Sequence, residues 1–147
     1  LLQGFLMLVL AYPVIHASIY LDSVSRTFLF FGFLLWFVGF YFEVVGDAEL
    51  DRFLKNPENK GKLMRYGLWR YSRHPNYFGE ITMWWAIGLM TLTLPLGWLT
   101  LISPITITLL IRHVSGVPLL EAHFRDHPEW AEYARKTSML VPLPPKQ

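Results

Sequence analysis

The chain has 147 residues, of which 53% are hydrophobic, 16% aromatic and only 16% charged. A soluble domain carries about 25% charged residues, so this composition argues against a freely soluble globule. A net charge of +2, from 13 basic and 11 acidic residues, is too small for a nucleic-acid binder. The absence of cysteine removes disulfides, thiolate metal sites and cysteine nucleophiles. The length fits one domain, and the opening at Leu1 inside an apolar run reads as a fragment or processed piece.

From Leu1 to Leu21 there is no Asp, Glu, Lys or Arg. At about 1.5 Å per residue this run spans roughly 30 Å, the thickness of a bilayer's hydrocarbon core. Pro13 and His16 interrupt it without vetoing a span, because neighbouring helices satisfy freed backbone groups. His16 is expected as a packed intramembrane histidine. Neither the basic n-region nor the small-residue cleavage site of a signal peptide is visible. After the polar turn 22–26 a second apolar run covers Thr27 to Phe42 and closes at Glu43. Gly32, Gly39 and Gly46 recur there every seven residues, the mark of a closely packed helix face.

The stretch 47–77 reads as a basic loop. It holds Arg52, Lys55, Lys60, Lys62, Arg65, Arg70 and Arg73 against Asp47, Glu49, Asp51 and Glu58. The excess of Lys and Arg places it in the cytoplasm. Ile81 to Ile111 then runs for 31 residues without a formal charge, with Pro95-Leu96-Gly97 near its middle. One span would not need that length and two would need about 40, which predicts a helical hairpin with both ends on the cytoplasmic side. Completing both spans draws Asn76, Glu80 and Arg112 towards membrane depth. Such groups are costly there and mark a site, unless they snorkel to the headgroups. A cytoplasmic tail, 116–147, follows with two short helices, Pro118 to Phe124 and Pro128 to Lys136, each opened by proline. The expected architecture is an all-α, polytopic membrane helix bundle with about four transmembrane helices.

Chemistry concentrates between Gly67 and Glu80. Pro75 keeps His74 out of the helical region, so a helix starts beside it. Asn76 and Glu80, four apart, share one face of that helix. An amide with a carboxylate suits a carboxamide or a ribose hydroxyl, and Arg73, Arg70 and Lys62 suit phosphates. Together they describe a pocket for a phosphorylated, nucleotide-like cofactor. A basic juxtamembrane loop on anionic lipid is the simpler alternative, but it leaves Asn76 and Glu80 at the start of an apolar helix without a purpose. His123 and His127 have the spacing of two helix-borne metal ligands, but the glutamate of a zinc protease motif is missing between them, and no metal site is expected. No glycine-rich dinucleotide fingerprint, Walker loop or nucleophile elbow occurs.

The run from Arg73 to Glu80, followed by Trp84 and Trp85, resembles the steroid 5-alpha-reductase-like superfamily of membrane enzymes, and most of all its bacterial branch of predicted reductases. The blocks Phe42 to Asp47 and Arg112 to Glu121 carry the same resemblance, which covers about Phe31 to Pro145. The Arg-His-Pro-x-Tyr-x-Gly element is also similar to sterol reductases and to isoprenylcysteine carboxyl methyltransferases. The resemblance implies an NADPH-dependent reductase of a polyprenyl, sterol or other lipid-like enone, in a bacterial inner membrane with the cofactor on the cytoplasmic side. It places Asp47, Lys62, Arg73, His74, Asn76, Tyr77, Gly79, Glu80 and Arg112 at the cofactor. Steroid reductases carry a His and a Tyr after the last long helix, where this chain has Gly116 and Leu120. Their polarising Glu and Tyr come from N-terminal helices that have no recognisable counterpart here, so the proton donor is unassigned. Two other classes stay open: an S-adenosylmethionine-dependent membrane methyltransferase and a non-enzymatic lipid-binding membrane protein. The partners implied are a hydrophobic small molecule and membrane lipid, with no nucleic acid.

Overall fold

A computed structural model describes residues 1–146. Among these residues six α-helices follow one another: α1 (Leu2–Ile19), α2 (Arg26–Lys55), α3 (Pro75–Thr91), α4 (Ile102–Leu109), α5 (Val117–Phe124) and α6 (Trp130–Lys136). Among the described residues there is no strand, only an isolated parallel bridge between Ser72 and Ser138.

Among the described residues three helical stretches are long and apolar enough to cross a membrane: Leu2–Ile19, Arg26–Lys55 and Gly97–Phe124. Only 11% of the apolar window in each of the first two is buried within the protein, so their outer faces call for acyl chains as solvent. The fourth expected span, α3, has 17 residues. At about 1.5 Å per residue it reaches roughly 25 Å, short of a 30 Å hydrocarbon core. By length and composition three helices are candidate spans, and a fourth is not confirmed. The apolar run that closes at Glu43 is not the end of its helix either. α2 continues unbroken through Asp47 to Lys55, so the first part of the stretch read as loop is helical, as are its last residues from Pro75.

α3 lies antiparallel along α2, and the heptad glycines set the register. Gly32 meets Met90, Gly39 meets Met83 and Gly79, and Gly46 meets Pro75 and Asn76. The two backbones come closest in the middle. A Cβ added to Gly39 would lie 2.7 Å from the Gly79 carbonyl, and one added to Gly79 would lie 2.5 Å from the Gly39 carbonyl. Backbone meets backbone at this crossing, which small residues permit in membrane helices.

The predicted hairpin forms. α3 ends at Thr91, and the turn runs through Pro95 and a left-handed Leu96 (φ 55°) into a 3-10 segment, Gly97–Leu101, that leads to α4. Its polar atoms are satisfied internally: Thr91 Oγ1 lies 2.7 Å from Thr100 Oγ1, which donates to the Gly97 carbonyl at 2.6 Å. His16 is the packed histidine expected, 6% exposed, with Nε2 donating to the Pro95 carbonyl at 2.7 Å. This bond and that from Ser103 Oγ to the Leu10 carbonyl (3.0 Å) tie α1 to the hairpin. At the other end Ile107, Ile111 and Val117 form a small core with Tyr77, Ile81 and Trp84.

The crossing supplies the first test. Gly79→Ala, with backbone on the far side unable to yield, is expected to destabilise the protein in detergent by about 1–3 kcal/mol, the range for overpacked sites. Gly4→Ala, where a Cβ would meet nothing within 4 Å, should leave the melting temperature unchanged; equal effects would contradict the register.

Candidate functional site

All the sequence-predicted residues except Arg112 fall into two groups. Asp47, Asn76, Tyr77, Gly79 and Glu80 gather where α2 and α3 cross. Asn76 Nδ2 donates to Asp47 Oδ1 at 2.9 Å, joining the two helices one turn from the glycine contact. Glu43, one helical turn before Asp47, faces Gly79: its Cβ would lie 2.9 Å from a Cβ there. Glu43 Oε2 and Asn76 Oδ1 are both buried and have no hydrogen-bond partner. An apolar helix pair thus presents two unsatisfied acceptors side by side with Glu80 and Asp47. Glu43 was read in the sequence as the end of an apolar run. Its spacing of four from Asp47 was the available signal that both share a face.

Lys62, Arg73 and His74 gather elsewhere, under α5 and α6. They line a cavity of about 250 Å³ whose walls include Leu50, Leu63, Trp69, Phe124 and Trp130. This compartment exists because the C-terminal segment clamps the 65–74 stretch. Trp69 Nε1 donates to the Gly46 carbonyl (3.0 Å), and the Trp69 carbonyl accepts from Tyr133 OH (2.6 Å). Arg73 N donates to the Ser138 carbonyl and Leu143 N to the Tyr71 carbonyl. Arg65 pairs with Glu129 at 2.7 Å. Burial pushes the Tyr133 phenol up, out of reach of ordinary titration.

Arg73 is largely committed within the protein. Its Nε is 3.1 Å from Glu121 Oε1 as an ion pair, although the N–H does not aim at that oxygen. Its Nη1 donates to the Ala134 carbonyl, and its guanidinium lies 5.5 Å from the Trp130 ring centroid. Lys62 and Arg112 make no ion pair among the described residues. Arg112 sits exposed on a single π turn, Leu110–Val114, that closes with Ser115 N on the Leu110 carbonyl. The turn is one residue wider than an α turn, a feature that recurs at functional sites. Neither group of residues includes Arg112. His127 is taken up by the loop, donating from Nε2 to the Gly61 carbonyl (2.9 Å) and accepting at Nδ1 from Glu129 N (3.2 Å).

Glu121 was not singled out from sequence. Its Oε1 also lies 3.1 Å from His74 Nε2. Burial of His74, 4% exposed, lowers its pKa below 6.5 and outweighs the upward pull of Glu121. The folded protein therefore resists a proton that the unfolded chain accepts below about pH 6.5. Stability should fall as pH drops from 6.5 towards the lowered value and level off beneath it. Thermal melts between pH 5 and 8 check this: the slope should flatten in His74→Gln, and an unchanged slope would assign it to another group.

A family model described as "Protein of unknown function (DUF1295)" matches residues 1–137. The 3-oxo-5-alpha-steroid 4-dehydrogenase 1 of Rattus norvegicus is 27% identical over 122 residues, 83% of this chain and 44% of the relative. The Homo sapiens protein of the same name is 37% identical over 76 residues, 50% of this chain and 29% of the relative. A probable O-methyltransferase, ustE, of Ustilaginoidea virens is 38% identical over 63 residues, 43% of this chain and 22% of the relative. The chain thus spans less than half the length of these curated relatives. No solved structure matches. With three spanning-length helices and such relatives, the chain is an integral membrane protein, and it belongs to the DUF1295 family, the steroid 5-alpha-reductase-like family.

Proposed function

We propose that this chain forms the cofactor-holding part of an NADPH-dependent membrane reductase. Its substrate is a steroid, sterol or polyprenyl compound with a carbon–carbon double bond conjugated to a carbonyl. The observation that carries this reading is the pair of buried, unpartnered acceptors at the α2–α3 crossing, Glu43 Oε2 and Asn76 Oδ1. A buried polar group left unsatisfied costs about 1–3 kcal/mol, and a ligand offering N–H or O–H donors removes that cost. The carboxamide and ribose hydroxyls of a nicotinamide nucleotide are such donors, so these residues fit the group. Phosphates do not suit this acidic cluster. They fall to Lys62 and Arg112, whose charges no carboxylate neutralises among the described residues.

In this arrangement Asn76, Glu80, Tyr77 and Asp47 hold the nicotinamide end, and bare Gly79 keeps the helices close enough for both to contribute. Arg73 and His74 line the second compartment for the other end. NADPH, when bound, supplies a hydride; the chain's residues fix its position and keep water from the apolar helix pair. The relatives named for 3-oxo-steroid 4-dehydrogenation support a substrate of this class, since reduction of a conjugated enone and dehydrogenation of the corresponding saturated ketone are one reaction run in opposite senses. α3 lies beside α2 at membrane depth as a fourth, short span. The polar ends face the cytoplasm of a bacterial inner membrane, where the basic residues belong.

Calorimetric titration of the full-length protein in detergent tests this. NADPH should bind, and Asn76→Ala and Arg112→Ala should each weaken it about tenfold, the loss of one good hydrogen bond or ion contact. Unchanged affinity in both variants overturns the assignment. A second reading, an S-adenosylmethionine-dependent methyltransferase, is favoured by the similarity to the probable O-methyltransferase ustE. Heat with S-adenosylmethionine but none with NADPH would replace the first reading by it, and silence with both leaves a non-enzymatic lipid-binding protein.

A further inference from the structure

A cleft of about 700 Å³ opens at the end of α2, with residues 54–57 and 59–62 on one side and His123, Phe124 and His127 on the other. The two sides are fixed to each other, because His127 Nε2 donates across to the Gly61 carbonyl at 2.9 Å. The loop side is braced within itself by Asn59 Nδ2 on the Phe53 carbonyl (2.9 Å) and Lys62 N on the Asn59 carbonyl (2.9 Å). Among the described residues no Asp or Glu lines this cleft. Lys55 is taken by Asp51 at 2.7 Å and His127 by Gly61. That leaves Lys60, Lys62 and His123, all exposed and none in an ion pair among the described residues. His123 only stands edge-on to Phe124, with ring centroids 5.4 Å apart.

One face of α2 joins this cleft to the helix crossing. Asp47, Leu50 and Leu54 are three and four residues apart and so lie in one row. Asp47 bonds Asn76 at the crossing, Leu50 lines the 250 Å³ compartment, and Leu54 lines both that compartment and the cleft. From Asp47 to Leu54 the row runs about 10 Å. A dinucleotide with its nicotinamide at the crossing, laid along this row, brings its adenosine end to the cleft.

We propose that Lys60 and His123 hold the 2′-phosphate of the adenosine ribose and thereby select NADPH over NADH. The inference rests on the nucleotide-cofactor reading and deepens it, giving a holder to the one group that distinguishes the two dinucleotides. The bridging phosphates stay with Lys62 and Arg112. A phosphomonoester carries close to two negative charges at pH 7 and three acceptor oxygens, so it calls for several donors and no neighbouring carboxylate. Lysine answers as a point charge and His123 with a ring N–H. A lipid phosphate is the other source of the same chemistry. On the threading proposed above, a hydrocarbon core of about 30 Å that starts at Arg26 ends near Asp47, and Lys55 stands about 12 Å further on. A headgroup layer is only about 5–8 Å deep, which leaves the cleft to a ligand from solution.

The test titrates the full-length protein in detergent with NADPH and with NADH, as wild type, Lys60→Ala, His123→Ala, the double variant and Arg125→Ala. Arg125 is an exposed cation two residues from His123 that does not line the cleft. Wild type should prefer NADPH by at least tenfold, the worth of one charge-assisted hydrogen bond. Each single variant should cut the preference several-fold and the double variant should abolish it, while Arg125→Ala keeps it. Equal affinity of wild type for the two nucleotides, or a preference that survives in the double variant, overturns this inference and leaves the nucleotide reading standing. So does a preference that falls as far in Arg125→Ala, which would assign it to surface charge at large. Phosphatidic acid in mixed micelles is the lipid arm: binding that drops in the double variant while the nucleotide preference stays would make the cleft a lipid site instead. A wild type that binds neither nucleotide removes both readings.

Discussion

The α2–α3 contact is made without side chains at its centre, and the remainder of the molecule is arranged around that fact. Gly39 and Gly79 each lie against the other's carbonyl, so the helix axes approach more closely than any larger residue would allow. Side chains one turn further along are then held at short range by geometry alone. Asn76 reaches Asp47 across the gap, and Glu43 is pressed against the α3 backbone. Carboxylates crowd together there at a cost that apolar packing must offset, which is the usual circumstance of ionisable groups in membrane helices.

A second layer is built on the loop end of the pair. Trp69 acts as a peg between them, with its indole on the α2 carbonyl of Gly46 and its own carbonyl under Tyr133. Glu49 serves the same join, accepting from Leu68 N at 2.8 Å beside the left-handed Gly67. Around this peg the ion pairs of Arg65 and Arg73 bring the terminal helices down over the end of α2. Charged groups that look like a free basic surface in the sequence are divided by the fold into structural cations, such as Arg73, and unneutralised ones, such as Lys62.

Much of this architecture is legible from residue order. The apolar runs mark α1, α2 and the α3–α4 hairpin. The seven-residue glycine spacing marks the packing face, and Pro75 marks where α3 begins. Periodicity could not give the end of α2. Its last turns are polar although the helix does not stop there, and Asp51 to Lys55 even adds an i,i+4 pair at 2.7 Å. Nor could it give partners distant in sequence. Glu121 reads as one more acid on a short tail helix until folding sets it against Arg73 and His74, 48 and 47 residues earlier. Asn76 and Glu80 were visible because they break an apolar pattern; Glu43 was hidden because it sits where such a pattern ends.

The strap formed by Ser138 and Leu143 against Arg73 and Tyr71 has a bearing on biogenesis. Among the described residues every apolar helix precedes that strap in the chain, so all of them leave the ribosome before it does. The contact that holds the 71–73 stretch is therefore made late, by a segment synthesised after the apolar helices. Substitutions in the strap would then loosen the 71–73 stretch without altering any apolar helix.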